Sequence, residues 1–357
     1  MQNGSIRRRE FVAGMVSAGA VGQAKPNILN YNPDMEYRRL GKTGLMVSAV
    51  SLGGHWKRVD KVVSGVVKPT GYSNEDTKNI TNADFLKNRA EIISRCIEAG
   101  INYVDACAPQ EILAYAKVVK GRRDKIYFGY SWHTREPRYK DWRDADKLVQ
   151  GLEQGLKEAG LDYADVWRIT LPMEGIADLG ELKAVEEATI SALAKARKQG
   201  KARFTGVSSH NRIWLKSVIE EYPNEIQVVL FPYTADSKQL PEDSVFDALK
   251  QHDVGVFGIK PFADNALFKG DSSPGSPHAA EDDKRARLAI RYILGNPAIT
   301  AAIPGLVTVH QVNNVALAVA ERRKLDRQER SELREATREM WTNLDERHQF
   351  LRQWEYV

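Results

Sequence analysis

Eight short apolar runs, each followed by an amphipathic stretch, restrict this chain more than any other feature. The runs lie at 48–53, 102–105, 126–131, 164–170, 203–208, 227–231, 254–259 and 301–303. Between them apolar residues recur at three- and four-residue spacing, the helical period. Examples are 89–99 (Ile92, Ile93, Cys96, Ile97), 145–159 (Leu148, Val149, Leu152, Leu156) and 181–199. Gly100, Gly160 and Gly200 follow such segments, where a left-handed C-terminal cap favours glycine. Strand–helix alternation of this length predicts an α/β fold, a (β/α)8 TIM barrel of parallel strands. A hairpin, 36–40 returning through 41–44 to 46–50, is expected to plug the barrel bottom. Charged helices at 327–340 and 345–354 are expected to pack outside it.

The N-terminus reads differently. Arg8-Arg9-Glu10-Phe11-Val12 fits a twin-arginine export signal, followed by a short Ala/Gly-rich apolar stretch and the small residues Gly22 and Ala24. The plainer alternative is a fortuitous basic, amphipathic start. The expected organisation is a signal peptide at 1–24, a linker at 25–34 and one barrel domain at 35–357 that includes accessory helices from 326. Such a signal implies delivery to the periplasm by the twin-arginine export machinery. That route carries proteins already folded around a cofactor.

Composition narrows the partners. Loss of 1–24 removes three Arg and one Glu, so the formal charge of +5 falls to about +3. Basic residues are scattered among acidic ones without a stripe to track phosphates, so nucleic acid is not expected as a partner. No later run is apolar enough to span a bilayer, and the mature chain is expected to be free of the membrane. A domain of about 330 residues can bury one large core. Cys96 and Cys107 make neither a disulfide framework nor a metal cluster and read as small buried hydrophobes.

In a parallel barrel the chemistry sits where strands end. His55, His133 and His210 follow the first, third and fifth runs, Asp105 ends the second, and Lys260 ends the seventh. Groups so placed suit an acid/base cluster or a metal site of His and carboxylate ligands, with His55, His133 and His210 as candidate ligands. Hydrogen-bonded loop histidines are the plainer reading. Two long connections, 54–85 and 263–282, leave the same rim, far beyond the usual two to six residues. The first reads as a lid or as a neutral surface insertion.

Taken together, GINYVDACAPQ (100–110), MEYRRLGKTGLMVSAVSLGG (35–54), LDYADVWRIT (161–170), GKARFTGVSSH (200–210), GVFGIKPFA (255–263) and NPAITAAIPGLVTVHQV (296–312) resemble the aldo/keto reductase family over nearly all of the mature chain. The resemblance implies an oxidoreductase that uses NADP(H) on a small carbonyl or sugar-like substrate. Family chemistry uses a Tyr proton donor, a Lys that lowers its pKa, a His that orients the carbonyl and an Asp that holds the Lys. Position by position the Asp is Asp105, but Gln110 stands for Tyr, Ser131 for Lys and Thr170 for His. Asp105 is then a retained structural or re-employed carboxylate, and Asp105, His133, His210 and Lys260 are the candidate catalytic groups. For the cofactor the resemblance implies Ser208 and Ser209 at the nicotinamide, with Leu230 at a position the family fills with Gln. It implies Gly305, Thr308 and Gln311 at the phosphates, where a helix start offers free N–H groups. Two other readings stand beside it: a metal- or acid/base-dependent lyase or isomerase on the same barrel, and an inactive ligand-binding protein.

Overall fold

A computed structural model describes residues 28–67, 77–171, 176, 178–321 and 324–353. The expected signal peptide lies outside the described residues. Strands β1 (Tyr37–Arg39) and β2 (Met46–Ser48) form the antiparallel hairpin, pairing Tyr37 with Ser48 and Arg39 with Met46. Eight parallel strands follow: β3 (Leu52–Gly53), β4 (Tyr103–Ala106), β5 (Tyr127–Tyr130), β6 (Ala164–Thr170), β7 (Ala202–Ser208), β8 (Val228–Pro232), β9 (Gly255–Ile259) and β10 (Ala301–Ile303). Each pairs with its sequence neighbour, and bridges Val50–Ala302 and Gly53–Gly305 bring β10 back to the β3 edge. The barrel is the (β/α)8 fold expected.

Helices α1 (Ala83–Glu98), α2 (Pro109–Val119), α3 (Ala145–Ala159), α4 (Leu179–Lys198), α5 (Arg212–Glu221), α6 (Val245–Gln251) and α7 (Ala279–Leu294) connect the strands, and α8 (Val309–Ala320) follows β10. α9 (Arg327–Asn343) packs on α7. Their starts are set locally. Asn82, Asp144, Asn211 and Thr308 each accept a first-turn N–H, the usual function of such residues at a helix start. Gly160 ends α3 at φ 65°, as a left-handed cap requires.

Two apolar layers hold the barrel. The outer one packs helices on strands and includes Ile92, Ile93, Cys96, Leu152, Leu193 and Ile293. The inner one fills the barrel with Tyr103, Val166, Val228, Leu230, Phe257 and Ile303. Leu40, Leu45 and Val47 of the hairpin close it from below. The hairpin approaches so tightly that a Cβ on Gly41 would lie 2.3 Å from Gly255 N, at a backbone φ of +47°.

Three expectations change. The run at 48–53 is split between β2 and β3, because the chain bends there from the plug into the barrel wall. The long 54–85 connection carries short 3-10 turns at Val59–Lys61 and Thr77–Thr81, and part of it lies outside the described residues. The segment expected as an outer helix at 345–354 is instead a 3-10 turn, Glu346–Arg352, folded over the C-terminal rim. There Phe350 stacks on His210 at 4.7 Å and His348 Nδ1 lies 3.3 Å from Asp264 Oδ2. Both cysteines are free thiols.

Gly41→Ala is expected to destabilise the fold by on the order of 3 kcal/mol, because β-carbon and backbone would compete for one space. Urea unfolding checks it, and a midpoint unchanged from wild type would show that the plug tolerates displacement.

Candidate active site

One ion pair crosses the barrel mouth. Asp105, inward-facing on β4, meets Arg168 from β6, two strands away. Arg168 Nη2 donates to Asp105 Oδ2 at 2.6 Å and Nε to Oδ1 at 3.2 Å, a bidentate fork that only a guanidinium provides. The side chains are 5% and 7% exposed. β5 lies between them, and the crossing is possible because Gly129 stands there. A Cβ on Gly129 would fall 2.8 Å from Asp105 Oδ1 and 2.2 Å from Tyr103 Oη. Burial works against the charge of Arg168, but the Asp105 carboxylate, with Cys107 and Glu136 adding to it, more than offsets this and holds the guanidinium pKa above its ordinary value. Asp105 therefore has a cation, which the sequence comparison by position did not supply.

Gln110, Ser131 and Thr170 stand where the sequence resemblance implies proton-relay groups. Gln110 is buried. Ser131 donates to the buried Glu136. Thr170 Oγ1 accepts from Arg168 Nη1 at 3.3 Å. The phenol beside Asp105 is that of Tyr103, below it in the inner layer, its ring centroid 4.4 Å from that of Phe257 and tilted by 31°. Burial, and then the Asp105 charge, push its pKa well above the ordinary value, so it stays protonated.

Around this pair stand the rim groups. Lys260 ends β9 at φ 55°. Its pKa is lowered, first by burial, with Lys57 and Arg168 adding repulsion that Asp264 and Cys107 partly oppose. Lys57 is ion-paired to Asp264. His133 Nδ1 is 3.0 Å from Cys107 O, which fixes its ring above β4. Burial holds the His210 pKa well below the ordinary value, helped by Lys260, Arg138 and His348, so its ring is neutral near pH 7.

The three histidines proposed as ligands do not form the metal-like group. Among the described residues, the groups that do converge are His55, Cys107 and Glu111, with ligand atoms within 4.8 Å of one another. Glu111 is fully buried at the first turn of α2, where it accepts from His55 N at 2.5 Å and Cys107 N at 2.9 Å. Gly54 leaves the room, since a Cβ there would lie 2.1 Å from the Glu111 carboxylate. Cys107 is partly exposed at the rim rather than a core hydrophobe.

Beside the mouth lies a cavity of about 400 Å³, bounded by the loops after β3, β9 and β10. Gly305, Thr308 and Gln311 line it, as expected of a phosphate cradle, whereas Ser208 and Ser209 do not. Thr308 Oγ1 accepts from Gln311 N at 3.1 Å, and Gln311 Oε1 accepts from Val307 N at 2.8 Å, so both side chains shape the loop. α1 braces it from behind: the fully buried Arg89 donates to Leu306 O at 2.9 Å, and Asn88 to Val307 O at 3.2 Å. Lys57 and Arg58 bring positive charge to the cavity wall, Asp282 and Asp283 negative.

A family model described as the aldo/keto reductase family matches residues 87–287. The chain belongs to the aldo/keto reductase family. It is 27% identical to L-galactose dehydrogenase of Arabidopsis thaliana over 312 residues, 80% of this chain and 89% of that protein. It is 24% identical to L-glyceraldehyde 3-phosphate reductase of Escherichia coli K12 over 250 residues, 65% of this chain and 63% of that protein. Among solved structures it resembles the holo form of aldo-keto reductase AKR11C1 from Bacillus halodurans, with TM-score 0.56, 20% identity, and coverage of 85% and 96%.

Removing one partner of the mouth pair strands a buried charge, so Arg168→Met and Asp105→Asn are each expected to cost about 3–5 kcal/mol. The double variant should recover much of that loss. Equal and additive losses in a denaturation cycle would mean that the two side chains act independently.

His348, lowered to about 4 by burial, and His210 both bind protons more readily unfolded than folded. Their contribution to stability is therefore present above about pH 6.5 and is lost as pH falls toward 4. Thermal unfolding across this range should show a slope that flattens in His348→Gln. A slope identical in the variant would remove His348 from the account.

Proposed function

We propose that this chain is an exported oxidoreductase that binds a nicotinamide dinucleotide, expected as NADP(H), and acts on a small carbonyl or sugar-like substrate. Support for the reaction class is family membership, together with relatives named for an aldose dehydrogenase and an aldehyde reductase. Support for export is the Arg8-Arg9 segment; among the described residues no helix is long and apolar enough to cross a membrane. The observation that carries the cofactor reading is the 400 Å³ cavity with Gly305 and the first turn of α8 on one wall and Lys57 and Arg58 on another. Helix-start N–H groups and cations suit a diphosphate. The bound dinucleotide would supply or accept the hydride.

Lys260 is the group best placed to move the proton in the absence of the usual phenol. Among the described residues its side chain forms no ion pair, and its lowered pKa brings it nearer neutrality than a free lysine. Arg168 cannot serve, since the guanidinium keeps its proton. The Asp105–Arg168 pair instead offers a fixed charge arrangement against which a substrate oxygen is oriented, with His133 beside it.

Calorimetric titration with NADP(H), and with NAD(H) because Asp282 and Asp283 share the wall, tests the reading directly. Saturable binding supports it, and no heat with either nucleotide overturns it. In a carbonyl-reduction assay Lys260→Met is expected to lower kcat/KM by about 100-fold or more. The wild-type reductive rate should fall as pH rises through the lysine pKa, below its ordinary 10.5, while the oxidative rate rises. A reductive profile shared by wild type and variant would exclude Lys260 as the donor.

A further inference from the structure

The trio at the seam between barrel mouth and cavity has a geometry that hydride chemistry does not require. His55 Nδ1 lies 3.5 Å from Cys107 Sγ and 3.3 Å from Glu111 Oε1; the other ring nitrogen is 3.8 Å from the sulfur. A tetrahedral zinc has bonds of about 2.0–2.2 Å to nitrogen and oxygen and about 2.3 Å to sulfur. Those bonds set neighbouring ligand atoms about 3.4–3.6 Å apart. The two separations from His55 Nδ1, 3.5 Å and 3.3 Å, match edges of such a tetrahedron, and the third, between Cys107 and Glu111, lies within 4.8 Å.

Three features of the backbone build the arrangement. His55 adopts φ 55°, a left-handed conformation uncommon outside glycine and costing of order 1–3 kcal/mol where it is strained. Gly54 lets the carboxylate pass where a side chain would collide. Glu111 is pinned by His55 N–H, Cys107 N–H and Ala108 N–H, the last at 3.3 Å. A carboxylate oxygen carries two lone pairs, so Oε1 can accept the His55 N–H and hold a cation together.

We propose that His55, Cys107 and Glu111 form a three-ligand site for a borderline divalent cation of the zinc class, its fourth position open to the cavity. Nitrogen, thiolate and a single carboxylate favour zinc or cobalt over magnesium or calcium, which prefer all-oxygen shells. The His55 side chain keeps 41% of its surface exposed and lines the cavity, so the vacant position faces the space where a water or substrate oxygen can enter. Three protein ligands with one open position is the pattern of a catalytic rather than a structural zinc. The site stands apart from the cofactor reading, because it is tested with the metal alone.

The full chain, stripped with EDTA, is titrated with cobalt(II) chloride while absorbance is followed. The expected result is one cobalt per chain, with intense visible bands of four-coordination and a thiolate-to-cobalt band in the near ultraviolet. Zinc chloride should bleach both. With only two cysteines in the chain, the thiolate band should survive Cys96→Ala and vanish in Cys107→Ser. His55→Gly suits the left-handed backbone, so it keeps the fold while removing one ligand. It should weaken cobalt binding by more than the roughly 100-fold that loss of an outer partner costs. Binding without the thiolate band, a band that persists in Cys107→Ser, or no binding by folded wild-type protein would each overturn the proposal.

Discussion

A charged side chain inside a parallel barrel has almost no water to turn to, so its survival depends on what faces it. Here Asp105 and Arg168 satisfy each other through two parallel hydrogen bonds. The contact spans an intervening strand because β5 presents Gly129 at the crossing. Removing water from both ions costs several kcal/mol, and attraction in the low-dielectric interior repays it only with geometry this close. The pair thus ties β4 to β6 at the barrel mouth.

The neighbouring groups are arranged about that pair. The guanidinium is committed to Asp105 and the Tyr103 phenol is kept neutral beneath it, while Lys260, His133 and Cys107 stand at the rim above. The C-terminal turn caps this space with Phe350 and His348. The cavity beside it is braced by a buried cation, Arg89, stacked 4.7 Å from the Trp56 ring and bonded to the loop it supports. Burial lowers the Arg89 pKa to about 10, still high enough to keep it charged at neutral pH.

Much of the scaffold was legible in the chain. Strands covered on both faces read as continuous apolar runs, which is why 164–170 and 301–303 coincide with β6 and β10. The run at 48–53 misled because it serves both plug and wall, and no local pattern marks where the duty changes. The turn at 346–352 was hidden for another reason. Its charges look like a solvated helix, while its place is set by His348 and Phe350 meeting residues some 80 to 140 positions earlier.

The site was legible in part. Asp105 and Lys260 fall at the mouth, and Gly305, Thr308 and Gln311 fall on the cavity. Arg168 was overlooked although a signal existed: an arginine within DVWRIT, in phase with Thr170, must point inward and needs a buried anion. Matching position by position led instead to Thr170. Glu111 looked like an ordinary acid in a helix first turn, and Cys107 like a core hydrophobe. Their meeting with His55 depends on Gly54 and a left-handed backbone, which residue types alone do not reveal.

The central claim is that a guanidinium from β6 is locked onto Asp105 in the barrel mouth. Nitrogen-15 NMR of arginine-labelled protein reads this most directly through the Arg168 Nε–H. The expected signal is shifted from those of exposed arginines, slow to exchange with solvent, and lost from that position in Asp105→Asn. A resonance exchanging as fast as surface arginines, and indifferent to that substitution, would contradict the account.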